Sequence, residues 1–222
     1  MDYDLLVRTI KGYSETDFPQ AAGDGGMPTT EQVNTFIQQA EQRIYDSAQL
    51  LVARQNKTAN VTASSPYLTA PLDWLSTFSL AIQDPVSGNY EFLLQKDVNF
   101  IRECYPPPNS LGKPTHYALF DQNTFLLGPT PDFPYFVELH YFYRPQSITT
   151  VVGGHTWLGD NFDAALLYGS LLEAHAFLKG EEDVLKNYQG RYGEALAMVK
   201  QYAEGKSRQD MYRTEQVRYP VR

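Results

Sequence analysis

Proline limits the fold of this chain more strongly than any other residue type. Between residues 67 and 145 it interrupts the sequence at Pro71, Pro85, Pro106, Pro107, Pro108, Pro114, Pro129, Pro131 and Pro134. Because proline lacks a backbone N–H and its ring clashes with the preceding helical turn, this spacing excludes long helices from the region. The flanking segments instead carry apolar residues at steps of three and four, which is typical of amphipathic helices. The chain therefore divides into helix, then strands, then helices.

Helical periodicity predicts four helices, at about residues 1–13, 29–55, 160–179 and 181–204. The second helix begins most clearly, since Thr29 and Gln32 have the spacing of a capping box. Asp160 is placed to cap the third helix, and Gly180 is placed to end it in the left-handed conformation. The polar segment that follows the second helix is predicted to be irregular.

Alternating apolar residues predict strands between the prolines. Two hairpins are expected, one joining residues 78–82 to 90–94 and one joining 117–120 to 124–127, and residues 136–143 form a further strand. Residues 97–103 are predicted to add a short helix. We therefore predict the α+β class: a helical bundle of one long N-terminal and two long C-terminal helices, with a small antiparallel β-module inserted at about residues 67–145. Residues 1–205 are expected to form a single domain.

Composition narrows the possible functions. The chain has 222 residues, with 26 acidic and 18 basic side chains and a net charge of −8. This excess of acid argues against a broad nucleic-acid-binding face, which needs clustered cations. The single cysteine, Cys104, cannot form an internal disulfide, and no apolar run has the length of a membrane span. An intracellular, soluble product without a signal peptide is the simplest expectation.

The last 17 residues differ in composition from the rest. Residues 206–222 hold five basic and two acidic side chains, a net charge of +3, which leaves −11 for the preceding 205 residues. They also include apolar and tyrosine side chains without helical periodicity, so we predict an extended arm. Docking on a partner is the favoured role, ahead of a frayed terminus and of nucleic-acid binding.

Residues that could carry chemistry are scattered. The four histidines, His116, His140, His155 and His175, lack the spacing of a helical metal pair, and Cys104 has no neighbouring base in the sequence. The glycine-containing loop at residues 150–159 lacks the order of a phosphate-binding motif. The consecutive acids at residues 181–183 suit the first turn of a helix. We therefore predict no catalytic set, no metal site and no cofactor, and hence no enzyme.

With its elements in this order, the sequence resembles the head-to-tail adaptor, or connector, proteins of tailed bacteriophages. The resemblance rests on the helix at residues 27–44, the runs YLTAPLDWL (67–75), PTHYAL (114–119), FLLGPTPD (125–132), VELHYFYRP (137–145) and ALLYGSLLEA (165–174), and FLKG at 177–180. Each run is weak alone, but their order and spacing together are specific.

The resemblance implies a viral structural protein of the virion neck, made in the host cytoplasm. It implies a ring, expected to be a dodecamer, that docks under the portal protein, extends the DNA ejection channel and presents a surface to downstream tail or nozzle proteins. Double-stranded DNA would pass through without sequence-specific binding. A C-terminal extension could lodge against the portal, and Tyr212, Arg213, Arg218 and Tyr219 are the expected docking residues.

Two other functions stay open from the sequence. The aromatic residues of the strand region suggest a tail-associated carbohydrate-binding module or hydrolase; they are Tyr90, Tyr117, Phe120, Phe125, Tyr141 and Tyr143. Alternation favours core or sheet-surface positions for most of them. The third possibility is a DNA-binding protein that acts through the basic arm.

Overall fold

The computed structural model describes residues 1–18, 29–107 and 110–207. The described residues form two compact units. We call the first the helical unit; it holds Met1–Val52 and the described residues from Pro145 onward. We call the second the strand unit; it holds the described residues of Ala53–Arg144.

Six α-helices and ten strands occur among the described residues. The helices are α1 (Tyr3–Ser14), α2 (Thr29–Ser47), α3 (Val98–Cys104), α4 (Trp157–Asn161), α5 (Asp163–Leu178) and α6 (Glu182–Ser207). The strands are β1 (Arg54–Asn60), β2 (Tyr67–Thr69), β3 (Trp74–Gln83), β4 (Tyr90–Phe92), β5 (Leu94–Gln95), β6 (Leu111–Gly112), β7 (His116–Asp121), β8 (Thr124–Gly128), β9 (Thr130–Pro131) and β10 (Phe136–Tyr143). A 3-10 helix at Leu51–Ala53 precedes β1.

Helix α5 is the centre of the helical unit. It packs against α1, α2, α4 and α6, and half of its residues are buried. Its apolar residues surround the helix instead of forming one stripe, which is typical of a helix covered on several sides. Gly169 makes this possible, because a Cβ there would lie 3.1 Å from Ala40 Cβ on α2 and 3.1 Å from the Tyr192 ring on α6.

A buried carboxyl group fixes the chain that leads into α4. Glu41 on α2 is 4% exposed, and its Oε1 accepts a hydrogen bond from the Ile148 backbone N–H at 2.9 Å. Burial raises the pKa of Glu41, and the hydrogen bond from Ile148 opposes part of that rise. The segment before α4 is therefore held against α2 by this buried contact and, nearer the surface, by a hydrogen bond from Gln38 Nε2 to the Thr149 hydroxyl at 2.8 Å.

The strand unit contains three sheets. One is antiparallel with the order β1-β10-β3-β4, and the second has the order β2-β8-β7-β5, in which β5 and β7 are parallel. The third is the parallel pair β6-β9. One core combines residues of both four-stranded sheets, including Ile82 and Val137 from the first and Phe125 and Leu127 from the second. Helix α3 covers the other side of the second sheet through Ile101.

Several predicted elements are confirmed. Strand β3 pairs with β4, and β7 pairs with β8, as the two expected hairpins. The short helix expected at residues 97–103 is α3. On β10 the predicted alternation holds, because Val137, Leu139 and Tyr141 are buried while the residues between them are only partly covered.

The predicted fold class, a helical bundle with a small antiparallel β-module, is wrong. The described strands begin at Arg54, number ten and lie in three sheets, two of which contain parallel pairs. Helix α2 ends at Ser47, whereas periodicity predicted a helix to about residue 55. The strand content was underestimated for a physical reason: five of the ten strands have two or three residues, too few for a period-two pattern.

Strand β1 was not predicted from the sequence, which indicated an irregular polar segment at this position. Most of its side chains are exposed, so it lacks the apolar alternation of a half-buried strand. It is held by its backbone hydrogen bonds to β10 and by a polar cluster beneath it. In this cluster Lys57 Nζ donates to Asp73 Oδ1 at 2.9 Å. The hydroxyl of the fully buried Tyr141 lies 2.9 Å from Asp73 Oδ1 and 3.0 Å from Gln55 Oε1. The hydrogen bond from Lys57 lowers the pKa of Asp73, and the one from Tyr141 adds to this.

The boundaries of the last helices also differ from prediction. Asp160 lies inside α4, and the cap before it is Thr156, whose hydroxyl accepts from the Gly159 N–H. Lys179, with a φ of 54°, takes the left-handed position predicted for Gly180. A larger residue would not fit at Gly180, because its Cβ would lie 2.6 Å from His175 Nδ1. Helix α6 runs to Ser207, so the first two residues of the predicted arm are helical.

The polar cluster under β1 predicts a measurable loss of stability on removing one hydroxyl. We expect Tyr141→Phe to lower the free energy of unfolding by about 1 kcal/mol, because the substitution leaves the Gln55 and Asp73 oxygens with one donor fewer. Tyr143→Phe on the same strand is the matched control; it is only partly buried, so the change should be within about 0.5 kcal/mol. Urea unfolding followed by circular dichroism measures both, and equal effects would contradict the assignment.

The close approach at Gly169 predicts opposite signs for two glycine substitutions. Gly169→Ala should destabilise the protein, because Ala40 Cβ is fixed to a neighbouring helix and must be displaced. Gly190→Ala on α6 should stabilise it by about 0.5–1 kcal/mol, because nothing lies within 4 Å of the added Cβ and alanine favours the helix. Thermal unfolding of the two variants checks this; a stabilising Gly169→Ala would show that α2 and α5 can separate freely.

Candidate interaction site

The arm residues that the sequence singled out, Tyr212, Arg213, Arg218 and Tyr219, lie outside the described residues. Their role in docking stays a prediction. Within the described chain, helix α6 brings the backbone to Ser207, from which the remainder of the arm continues.

The helical unit contains a cleft with a volume of about 430 Å³ that we call the tyrosine cleft. Three helices build it: α1 contributes Tyr13, α5 contributes Tyr168, and α6 contributes the rest. Its lining residues are Tyr13, Tyr168, Asp183, Val184, Asn187, Tyr188 and Arg191. The α6 members recur at steps of three and four, so they share the side of that helix that faces the cleft.

Arg191 is held in place by its neighbours in the cleft. Its Nη1 donates to the Tyr168 hydroxyl at 3.1 Å and its Nε donates to Asn187 Oδ1 at 3.0 Å. The guanidinium carbon lies 5.6 Å from the centre of the Tyr168 ring, within the range of a cation–π contact. The hydrogen bond to Tyr168 raises the pKa of Arg191, so the guanidinium stays protonated. A fixed guanidinium loses little conformational entropy when it binds a partner.

Tyr188 forms the floor of the tyrosine cleft. Its ring centre lies 6.2 Å from that of Tyr168 and 4.9 Å from that of His175. Burial raises the pKa of Tyr188, with smaller contributions from Tyr13 and Tyr168, so the hydroxyl stays neutral and can both donate and accept. Tyrosine and arginine are the residues that dominate interface energetics, which makes this cleft suited to a protein side chain or loop.

A second cleft, of about 630 Å³, lies along α2 and α5. It is lined by Gln39, Gln42, Arg43, Asp46, Ser47 and Glu173. Arg43 and Glu173 form an ion pair inside it. This cleft is polar and wide, without the aromatic surface that gives the tyrosine cleft its binding area.

Several carboxylates of the described chain have structural roles. Lys113 Nζ donates to Asp84 at 2.9 Å and also to Glu91, and the Ser87 N–H and Lys113 lower the pKa of Asp84. A hydrolase of the kind considered from the sequence needs a carboxyl group that stays protonated as an acid. Glu41 has a raised pKa, but it is buried and bound to the Ile148 N–H.

The histidines occupy separate sites. His155 Nδ1 lies 3.1 Å from Asp160 Oδ1, His140 Nε2 lies 3.6 Å from Glu138, and His116 contacts the Thr115 hydroxyl at 2.8 Å. Cys104 is exposed at the end of α3. Among residues 1–18, 29–107 and 110–207, no group of three or more His, Cys, Asp or Glu side chains is arranged to hold a metal ion.

The aromatic residues behind the carbohydrate-binding alternative do not share a surface. Tyr117, Phe125 and Tyr141 are buried in the core of the strand unit. Phe120 is exposed and packs on Tyr67 with ring centres 5.2 Å apart, whereas Tyr90 lies on β4 in the other sheet. These positions agree with the core and sheet-surface interpretation of the pattern.

The tyrosine cleft was missed by sequence reasoning. Tyr188 packs against the core of the helical unit, and nothing in the sequence pattern indicates that Tyr13 and Tyr168 converge on it. The spacing of Asn187 and Arg191, four residues apart beside an aromatic stripe, was the available signal.

Comparison with known proteins places the chain in a family. The sequence model described as SU10 adaptor protein matches residues 1–219, nearly the full length. No curated protein matches the chain significantly. In the described part of the chain, no helix combines the length and apolar character that crossing a bilayer requires.

His175 predicts a pH-dependent stability beneath the tyrosine cleft. Both ring nitrogens are buried without a hydrogen-bond partner, and burial lowers the pKa of His175 below its usual 6.5. The unfolded chain therefore binds the proton more readily, so stability is lost as pH falls from about 6.5 through the native pKa. His175→Leu should lose less stability between about pH 7.5 and 5 than the unsubstituted protein. Thermal unfolding at both pH values tests this, and parallel losses would exclude His175 as the cause.

Proposed function

Because the chain belongs to the SU10 adaptor protein family, we propose that it is a head-to-tail adaptor that docks under the portal of a tailed phage. A phage adaptor is a structural protein of the virion and works through contacts with other structural proteins. The observation that carries the proposal is the family match over residues 1–219, which includes both units and most of the arm. The proposed location is the neck between head and tail, after synthesis in the host cytoplasm.

We further propose that the protein forms a ring, a dodecamer by the resemblance, with residues 1–205 acting as one adaptor domain. Exposed apolar side chains in the strand unit support contacts with other chains: Phe92 is 67% exposed, Leu94 60% and Leu111 54%. Covering such side chains with another chain would remove their apolar surface from water, which favours association. In such a ring, each subunit would contact its neighbours and also a tail or nozzle protein.

The ring would extend the DNA channel without binding the DNA tightly. The chain carries a net charge of −8, and the 205 residues before the arm account for −11. Acidic walls repel the phosphate backbone, so DNA would slide instead of binding with sequence specificity. A basic channel wall in an assembled ring would contradict this part of the proposal.

The proposed contact with the portal is the arm, through Tyr212, Arg213, Arg218 and Tyr219. The net charge of +3 on residues 206–222 supports this, because it is opposite to that of the rest of the chain. Arginine and tyrosine are also the residues most often found as interface anchors.

A charge-matched pair of double variants tests the arm. We expect Arg213→Ala with Arg218→Ala to weaken portal binding at least about tenfold, since two anchor residues are removed. Arg208→Ala with Arg222→Ala removes the same charge from the same arm and should weaken binding less than about threefold. Light scattering of the protein alone and mixed with its portal, followed by titration, measures the effect.

The outcomes separate the proposed functions. Equal losses in the two double variants would show that only net charge matters and would remove the specific residues from the proposal. Failure of the unsubstituted protein to bind the portal would overturn the adaptor role. Tight DNA binding that falls steeply with salt and disappears on deletion of residues 208–222 would instead favour the DNA-binding alternative.

A further inference from the structure

The antiparallel sheet of the strand unit has one side without a covering core. On β10, the residues that alternate with the buried Val137, Leu139 and Tyr141 point to the opposite side. The ladder register extends this side across the sheet, since Phe136 lies opposite Gln83, which lies opposite Tyr90, and Glu138 lies opposite Ala81, which lies opposite Phe92. We call this side the outer face; its aromatic members are Phe78, Tyr90, Phe92, Phe136 and Phe142.

Aromatic side chains occupy both ends of the outer face. At one end, the Arg54 guanidinium lies 3.9 Å from the centre of the Phe78 ring and 5.2 Å from that of Phe142, and the two rings meet edge to face. At the other end, Tyr90 is 48% exposed and Phe92 67%. Phe78 is 47% exposed although it contacts Arg54. A stacked arginine beside exposed aromatic rings has the composition of an interface hot spot.

The outer face carries one acidic side chain, Glu138, and one basic side chain, Arg54. Glu138, in the middle of β10, accepts a hydrogen bond from Asn56 and lies 3.6 Å from His140 Nε2. Arg54 carries the opposite charge on the same face, where its guanidinium lies against the Phe78 and Phe142 rings. With histidine neutral, the face therefore has no net charge, whereas the chain as a whole carries −8.

This balance indicates which partner the face suits. Copies of a chain with a charge of −8 repel each other, and they approach most easily through a surface where charge is absent. A basic partner would need unpaired acidic groups, and the Glu138 carboxylate is already bound. β10 spans about 27 Å, β1 and β3 run beside it at a spacing of about 4.8 Å, and β4 adds three residues, so the face offers about 400 Å². That is about half of the roughly 800 Å² that each partner contributes to a stable interface.

We propose that the outer face is a contact surface between copies of this chain, and that a neighbouring subunit of the ring covers it. The proposal rests on the adaptor function proposed above. In a closed ring the contact is heterologous, so the neighbour presents a different surface to the outer face, and the remaining interface area comes from outside it.

Two exposed positions allow a direct test. Phe92→Lys and Tyr90→Lys place a charge on the outer face without removing a core side chain. Phe133→Lys is the matched control, because Phe133 is 50% exposed in the same unit and lies outside the sheet. We expect the two outer-face variants to raise the protein concentration needed for ring formation at least about tenfold, while Phe133→Lys assembles like the unsubstituted protein.

Sedimentation velocity, with and without the portal, measures assembly, and thermal unfolding of each variant verifies that it is folded. Assembly of the unsubstituted protein should also strengthen between about 50 and 300 mM salt, because salt screens the repulsion between like-charged copies. Normal ring formation by folded Phe92→Lys and Tyr90→Lys would overturn the inference and leave the adaptor function standing. Normal rings that no longer bind a tail protein would assign the face to that protein instead. An unsubstituted protein that forms no ring and ignores the portal would overturn the adaptor function itself.

Discussion

Strand β10 pairs with β1 along one edge and with β3 along the other, and the arrangement of the strand unit depends on this double pairing. Period-two alternation on β10 divides its side chains between two sides of the sheet. One set, which includes Val137 and Tyr141, forms the core with residues of the second sheet. The other set, which includes Glu138 and Phe142, belongs to the outer face. A one-residue slip in register would exchange the two sets, so the same pairing specifies both the core and the proposed contact surface.

The helical unit depends on the packing of four helices around α5. Helix α5 is covered by other helices on several sides, so its stability depends on close approach and not on a single apolar stripe. Gly169 permits the close approach of α5 to both α2 and α6. Helix α6 has 26 residues and extends beyond its contact with α5. Near its first residues it contributes Tyr188 and Arg191 to the tyrosine cleft, and at its other end it leads toward the arm. The binding features of this unit are thus consequences of how one central helix is covered.

The sequence predicted best where a pattern is both local and long. The eight residues of β10 and the apolar stripes of the helices are examples, since burial on one side leaves a periodic signal. Strand β1 could not be predicted in this way, because its stabilising partners, Asp73 and Tyr141, are distant in sequence and polar. The two-residue strands β5, β6 and β9 are set by pairing alone. The tyrosine cleft requires three helices to meet, and no single segment of the sequence encodes that meeting.

The titration behaviour of the aromatic groups connects the two binding surfaces with the charge of the chain. Burial raises the pKa of Tyr188 in the tyrosine cleft, so its hydroxyl remains neutral well above physiological pH, and the phenylalanines of the outer face have no group that titrates. Aromatic surfaces therefore keep their binding character over a range in which exposed acidic groups remain fully ionised. In a chain of net charge −8, repulsion between copies is then nearly constant, and surfaces that carry no net charge add least to it. Tyrosine and phenylalanine are therefore better suited than ion pairs to the contact between like-charged copies that we propose for the outer face.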